Sequence, residues 1–451
     1  MQIVRFYVRS LGCPKNLVDS QGMERRLRRL GHVAVTDPKK AQVLIVNTCG
    51  FIEDARDESL SELRELARKK RAHQVLIAAG CLSQYWGDAL ATAVPGVDAL
   101  LGTRRWHEIE QLVRELGSGA NLKGRTPRAW LDDPAHGGDG EPQTARQGAS
   151  AYLKVADGCS APCAFCAIPH IKGPARSRTV DQILRDATEL VQEGVKELIL
   201  IAQDTTTFGR DRGEQDALPG LIQAILKATP VGEVGRDRPG LHWLRLMYAY
   251  PGHISPRLIE IMASDPRVCH YVDLPLQHAH PETLRRMKRP ANVERTLRLI
   301  ADLRDAMPDV ALRTAFILGY PGETEAEFQE LLEFVAEVRF DRVGGFLYSP
   351  EEGTAAAALP DRVPDEVQME RLERLMALQQ QISFELNQAQ VGRTMEVLIE
   401  GQGEGLSVGR SYRDAPEIDG LVLIGEDLPV GQMVQVRITG AMEYDLVGEL
   451  L

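Results

Sequence analysis

Seven cysteines lie in a chain of 451 residues, and three of them crowd one short stretch, where DGCSAPCAFCAIP sets Cys159, Cys163 and Cys166 at spacings of four and three. Thiolates that close together can wrap three corners of an iron–sulfur cube, and with no fourth cysteine nearby one iron stays open to coordinate something other than protein. A zinc knuckle is the competing reading, with His170 four residues after Cys166 as the fourth ligand, although zinc sites usually space their ligands as two separated pairs. Lys172, Arg176 and Arg178 follow directly. They either balance the charge of such a centre and touch its cofactor, or form a solvated basic loop.

Cys13, Cys49 and Cys81 are separated by 35 and 31 residues, too far for spacing to define a site. Each follows a strand-like apolar run, as SLGC, LIVNTC and LIAAGC. In a parallel sheet all three then fall at one edge, in the crevice where such sheets bind ligands. Helices beginning just beyond would direct backbone N–H groups at an anionic centre. Three unrelated buried thiols is the bland alternative. Cys269 reads as a buried free thiol, and Arg285, Arg286, Lys288 and Arg289 read as a solvated helix face.

The elements that must position these residues come in three blocks. Residues 1–117 alternate strand-like runs (3–8, 43–46, 75–78) with helical stretches (17–30, 53–70), which predicts an α/β domain with a parallel sheet. Residues 118–148 lose all periodicity in Gly, Pro, Asp and Arg and read as a linker. Residues 149–384 repeat strand then helix six times, with strands near Tyr152, Leu198, Trp243, Val272, Ala311 and Val343, which predicts a partial β/α barrel. Ligands collect at the carboxyl ends of such strands, where Gln203, Asp204, Gln277 and His278 fall and where Arg313 and Gly319 bracket RTAFILG. Each of these is as fit to satisfy strand-end backbone groups. Residues 385–451 become short strands between Gly and Asp turns, a small all-β barrel.

Composition narrows the function. The N-terminus alternates like a strand instead of showing a secretory leader, and nowhere do about 18 apolar residues run together, so a cytoplasmic protein without a membrane span is expected. An odd number of cysteines in a long chain without an export signal argues against a disulfide framework. The formal charge of −11, from 53 basic and 64 acidic residues, opposes broad attraction to polyanions. The imbalance concentrates in residues 392–451, where four arginines (Arg393, Arg410, Arg413, Arg437) face eleven carboxylates.

The motifs SLGCPKNLVDS, VNTCGFIEDA and AAGCLSQ, followed by DGCSAPCAFCAIP, resemble the methylthiotransferases of the radical S-adenosylmethionine superfamily over the whole chain apart from the linker. CPKNLVDS, AQDTT and GRSYRDAPEIDG are most similar to the members that act on an aspartate of small-subunit ribosomal protein 12. The resemblance implies two four-iron four-sulfur clusters, one on Cys13, Cys49 and Cys81, the other on Cys159, Cys163 and Cys166 with S-adenosylmethionine on its open iron. It further implies Gln203, Asp204, Gln277, Arg313 and Gly319 as candidate contacts to S-adenosylmethionine, and a terminal barrel of the TRAM type. One electron from a low-potential donor would cleave S-adenosylmethionine, the radical formed would take hydrogen from the aspartate β-carbon, and the first cluster, fed by a sulfur donor, would deliver the methylthio group.

The related enzymes that methylthiolate an adenosine in transfer RNA are the nearest competitors. An acidic terminal barrel would repel phosphates and suits a basic ribosomal protein, unless its charge serves solubility alone. An iron–sulfur electron-transfer or scaffold protein would need the six cysteines but not the cofactor-type strand ends.

Overall fold

The central strands of the first sheet are apolar on both faces. In the computed structural model, which describes residues 3–117, 127–131, 140–232 and 239–451, β1 (Arg5–Ser10), β2 (Val33–Ala34), β3 (Val43–Thr48), β4 (Val75–Gly80), β5 (Ala99–Gly102) and β6 (Arg128–Trp130) pair in parallel in the order β2-β1-β3-β4-β5-β6. Val43, Ile45, Val75 and Ile77 enter one core with Met23 and Leu27 of the helix Pro14–Arg29. Leu44, Val46, Leu76 and Ala78 enter the opposite core with Leu60, Leu63 and Leu66 of the helix Glu53–Lys69. Continuous apolar runs are what a parallel sheet covered on both faces requires, and each such side chain contributes about 1.5–3 kcal/mol on burial. The order reverses at β1: the chain runs outward to β2 and then returns to β3 on the other side. Such a reversal opens a crevice at the carboxyl ends of the two strands.

The stretch read as a linker needs correction. Residues 118–126 and 132–139 lie outside the described residues, but between them Arg128–Trp130 forms β6, and Thr144–Gln147 forms β7. Pairing with β5 supplies the backbone partners, and the Arg105 guanidinium lies 4.9 Å from the centre of the Trp130 ring. Arg25 donates to the carbonyls of Pro142 at 2.8 Å and Thr144 at 3.1 Å. These contacts depend on residues distant in sequence, which local composition does not register.

The next strands are β8 (Ser150–Lys154), β9 (Ala156–Asp157), β10 (Arg176–Ser177), β11 (Glu197–Ile201), β12 (Trp243–Leu246), β13 (Tyr271–Asp273), β14 (Ala311–Leu318) and β15 (Arg342–Leu347). They form sheets in the orders β12-β11-β8-β7 and β13-β14-β15, with β9 and β10 as a short ladder. Backbone bonds bridge β12 to the β13 segment: Leu244 N–H to Arg267 O at 2.6 Å, Cys269 N–H to Leu244 O at 3.0 Å and Ala249 N–H to Asp273 O at 2.9 Å. The result is the expected partial barrel, with strands at all six expected places.

Last come β16 (Thr394–Gly403), β17 (Leu406–Arg410), β18 (Val422–Ile424), β19 (Met433–Ala441) and β20 (Leu446–Leu450), closed in the order β16-β17-β18-β20-β19 around Val397, Ile399, Val422, Ile424, Val436 and Ile438. Closure removes every edge. GRSYRDAPEIDG connects β17 to β18, and all of its charges except that of exposed Glu417 are turned inward. Arg410 pairs with Glu197 at 2.6 Å, Arg342 with Asp414 at 2.7 Å, and Arg413 with Asp341.

The chain divides into two compact units. One comprises Met1–Ala145, Tyr152–Ser160 and Ala167–Arg176; the other comprises Arg146–Ala151, Ala161–Cys166 and Ser177–Leu451. Among the described residues no helix is long and apolar enough to cross a membrane.

Candidate metal centres and cofactor cleft

In the first unit, Cys13 directly precedes the helix Pro14–Arg29, Cys49 directly follows β3, and Cys81 directly follows β4 and opens the helix Cys81–Trp86. Cys13 and Cys49 thus flank the reversal between β1 and β3. Gly12, at φ +79°, lets the turn into Cys13 pass against Cys49: a Cβ there would stand 2.8 Å from Cys49 Sγ. Asn16, one turn into the same helix and fully buried, connects the three loops. Its Nδ2 donates to Leu11 O at 3.1 Å and Thr48 O at 2.9 Å, while Cys81 Sγ–H donates to its Oδ1 at 3.5 Å.

Burial pushes the Cys49 thiol up to about 11, with Cys13 adding to the rise and the N–H groups of Phe51 and Gly50 opposing it. Burial likewise pushes Cys81 up to about 12, against the pull of Lys172. A metal must therefore displace protons to bind here, as is usual for thiolate sites. Among the described residues no three His, Cys, Asp or Glu side chains are arranged to hold a single metal ion. An iron–sulfur cube spreads its thiolates over separate irons. N–H donors at the sulfur of Cys49, three loops gathered at one sheet edge and a buried cation beside Cys81 fit such a cluster.

That cation is Lys172, at the end of the short helix Ile168–Lys172. Its ammonium pairs with Asp19 at 3.4 Å and Asp157 at 3.1 Å, and Lys154 pairs with the same two carboxylates at 2.5 and 3.2 Å. Burial alone would lower the Lys172 pKa, but Asp157 and Asp19 more than offset it and hold the side chain charged. The quartet ties the helix that begins at Cys13 to the turn Asp157-Gly158-Cys159. Cys159 N–H donates to Gly173 O at 3.0 Å, closing that turn. Of the basic residues expected to follow the cysteine loop, Lys172 is buried beside Cys81, Arg178 is committed to Asp186 at 2.7 Å, and Arg176 is exposed. His170 is exposed as well.

In the second unit, the stretch containing Cys163 and Cys166 is clamped by its backbone. Ala164 N–H donates to Met287 O at 2.9 Å, and Ala164 O accepts from Ala356 N–H at 2.8 Å. Ala164 also packs with Met287, Tyr320, Tyr348 and Ala356, joined by Phe165.

The carboxyl ends of the strands gather most of the other candidates. Gln203 follows β11, and its Oε1 is buried without a partner, an acceptor that suits a polar ligand. Asp204 is committed to local structure, accepting from Thr206 N–H at 3.0 Å and lying 3.2 Å from His253 Nδ1. Gln277 adopts φ +76° while bridged to Phe316, and Tyr248, after β12, adopts φ +61°. Two side-chain-bearing residues in the left-handed region at strand ends mark a constrained site. His278 is buried, its pKa pushed down to about 3 by burial, and its Nδ1 accepts from His280 N–H. Gly319, at φ +72°, ends β14 where a Cβ would strike Gln368.

Arg313 departs from the expectation. It lies near the amino end of β14, and its guanidinium is spent on Asp273 at 2.9 Å and Asp419 at 3.5 Å. The sequence signal failed because Asp419 belongs to the terminal barrel, over a hundred positions away. The basic run also divides. Arg285 and Lys288 are exposed as expected, whereas Arg286 grips Glu327 at 2.9 Å and Arg289 reaches Cys163. Cys269 is a buried free thiol.

Three family models match in succession: uncharacterized protein family UPF0004 over residues 5–102, the radical SAM superfamily over 153–335 and the TRAM domain over 391–451. Among solved structures, the radical S-adenosylmethionine methyltransferase TsrM of Kitasatospora setae aligns with a TM-score of 0.55 at 14% identity, covering 90% of this chain and 77% of that one. That likeness is one of fold. The ribosomal protein uS12 methylthiotransferase RimO of Roseiflexus sp. (strain RS-1) is 50% identical over 99% of this chain and 97% of its own length. Its counterpart in Chloroflexus aurantiacus is 50% identical over 99% and 100%. With half of its residues shared along essentially its full length, and with the cysteine-bearing sheet, partial barrel and closed terminal barrel in the same succession, the chain belongs to the ribosomal protein uS12 methylthiotransferase family.

Proposed function

We propose that this chain is a radical S-adenosylmethionine enzyme that adds a methylthio group to the β-carbon of an aspartate in ribosomal protein uS12. Cys159, Cys163 and Cys166 would hold one four-iron four-sulfur cluster, with S-adenosylmethionine against Gln203 and Gln277. Cys13, Cys49 and Cys81 would hold a second. Bound there, these groups supply one-electron cleavage of S-adenosylmethionine and a sulfur unit for transfer. The chain's own residues set the stage: Asn16 fixes the loops that carry the first three thiols, Lys172 offsets negative charge beside Cys81, and Ala164 anchors the second cysteine loop. A low-potential electron donor and a sulfur donor are required partners, and the chemistry belongs in the reducing cytoplasm.

The observation that carries the reading is the placement of Cys13, Cys49 and Cys81. Far apart in sequence, they close on the carboxyl edge of one sheet, two of them flanking its reversal. The choice of a protein substrate over RNA rests on the relatives and on charge. Arg410 and Arg413 are buried, as are the carboxylates of Asp414 and Asp419, and Glu400 pairs with Arg410, so the rest of the terminal barrel sets Arg393 and Arg437 against eight carboxylates. Such a face opposes phosphate and favours a basic protein.

Reconstituted, reduced protein incubated without oxygen with S-adenosylmethionine, sulfide and either a uS12 peptide or a transfer RNA anticodon stem tests this by product mass. A methylthio addition on the peptide aspartate alone is expected. Addition on adenosine would show that the acidic face misleads, and the absence of 5′-deoxyadenosine in both mixtures would end the radical reading.

A further inference from the structure

The helix Pro281–Arg286 ends on a turn in which Lys288 takes the left-handed conformation at φ +54°, although it is not glycine. Lys288 N–H donates to Arg285 O at 3.0 Å and Arg289 N–H to Leu284 O at 2.8 Å, the paired closing bonds of a Schellman turn. The turn aims two groups at the second cysteine loop. Met287 O accepts from Ala164 N–H, and the Arg289 guanidinium donates to Cys163 Sγ at 3.7 Å. The same guanidinium donates to Pro275 O at 2.6 Å and lies 4.1 Å from the centre of the Tyr250 ring. Carbonyl, aromatic face and sulfur together fix its plane, a combination that suits the planar fork of arginine and not the point charge of lysine.

We propose that Arg289 is a positioning residue that sets the reduction potential of the cluster held by Cys159, Cys163 and Cys166. The inference rests on the cluster assignment above and goes beyond it. Reduction adds negative charge to the cluster and its thiolates. A cation donating a hydrogen bond to one of those sulfurs from a half-buried position stabilises the reduced form more than the oxidised form. Arg289 therefore raises the potential and brings the cluster within reach of a biological donor. Tyr250 and Pro275 hold the charge in place, and Lys288 pays the strain of the turn that delivers it.

The test is an anaerobic redox titration of the full-length reconstituted protein, following the electron paramagnetic resonance signal that changes on addition of S-adenosylmethionine, for wild type, Arg289→Lys and Arg289→Met. Arg289→Met is expected to lower the potential by at least a tenfold change in the reduction equilibrium, about 59 mV for a one-electron couple, with Arg289→Lys between it and wild type. Equal potentials in wild type and Arg289→Met, at equal iron content, would overturn the proposal and leave Arg289 a packing residue. Should Arg289→Met lose its iron, Arg289→Gln replaces it, keeping a donor without the charge, and a wild-type potential there overturns the proposal equally. A wild-type protein without that signal would instead remove the cluster assignment itself.

Discussion

Asn16 Oδ1 lies 3.5 Å from Cys81 Sγ, although 65 positions separate the two residues. Its amide nitrogen is spent on the carbonyls of Leu11 and Thr48, so one side chain touches the approaches to all three cysteines of the first set. Asn16→Asp keeps the shape but replaces two donors with oxygen facing two carbonyls. Each carbonyl left unpaired costs about 1–3 kcal/mol. The expected outcome is a lowered urea midpoint together with partial loss of iron, and an unchanged midpoint would deny the residue this role.

Gly12 offers a more local test. Gly12→Ala forces a side chain into the left-handed region, at about 1–2 kcal/mol, and drives its Cβ to within 2.8 Å of Cys49 Sγ. Iron per chain should fall by about half, as for the loss of one of two four-iron clusters, while the S-adenosylmethionine-sensitive signal survives. Full iron content would show that the Cys13 and Cys49 loops tolerate separation.

Lys172→Met removes a cation shared by Asp19 and Asp157, leaving Lys154 to serve both. Breaking a buried pair by deleting one partner costs about 3–5 kcal/mol. The double variant Lys172→Met, Asp19→Asn should recover part of that loss, because it removes the excess negative charge and leaves Lys154 matched to Asp157 alone. Additive losses in the thermal melts would mean that the two residues are not coupled.

Glu197 gives a pH signature. Burial alone would push its carboxyl up, but Arg410 and then Arg245 more than reverse this and hold it at about 2 against an ordinary 4.5. A depressed carboxylate contributes stability above its unfolded value and loses it as pH falls through the folded one. Glu197→Gln leaves buried Arg245 without its carboxylate and Arg410 with Glu400 alone, and should cost about 3–5 kcal/mol at pH 7. The gap from wild type should hold down to about pH 4.5 and close as pH approaches 2. A gap independent of pH across that range would show that the loss is one of shape and not of charge.

Much of this arrangement is legible in the residue order, for a definable reason. Cys13, Cys49 and Cys81 could be brought together because each ends an apolar run, and in a parallel sheet the carboxyl ends of strands share an edge. Asn16 stayed hidden because an asparagine early in a helix reads as ordinary capping chemistry, and its partners Thr48 and Cys81 come from other loops. Arg289 was masked by its neighbours: four basic residues in five positions read as a solvated face, and only the left-handed turn at Lys288 sends the last of them inward. GRSYRDAPEIDG carried the family resemblance, but its role as an ion-paired seam with Glu197, Asp341 and Arg342 depends on partners spread over the preceding two hundred residues.

The central claim is that two cysteine sets hold two clusters with separate duties. It is tested most directly by measuring iron, 5′-deoxyadenosine and methylthiolated uS12 peptide in one reaction series: wild type, the chain with Cys13, Cys49 and Cys81 changed to Ala, and the chain with Cys159, Cys163 and Cys166 changed to Ala. The first variant is expected to keep about half its iron and form 5′-deoxyadenosine without methylthiolated peptide; the second is expected to form neither. Methylthiolated peptide from the first variant, or 5′-deoxyadenosine from the second, would contradict the assignment.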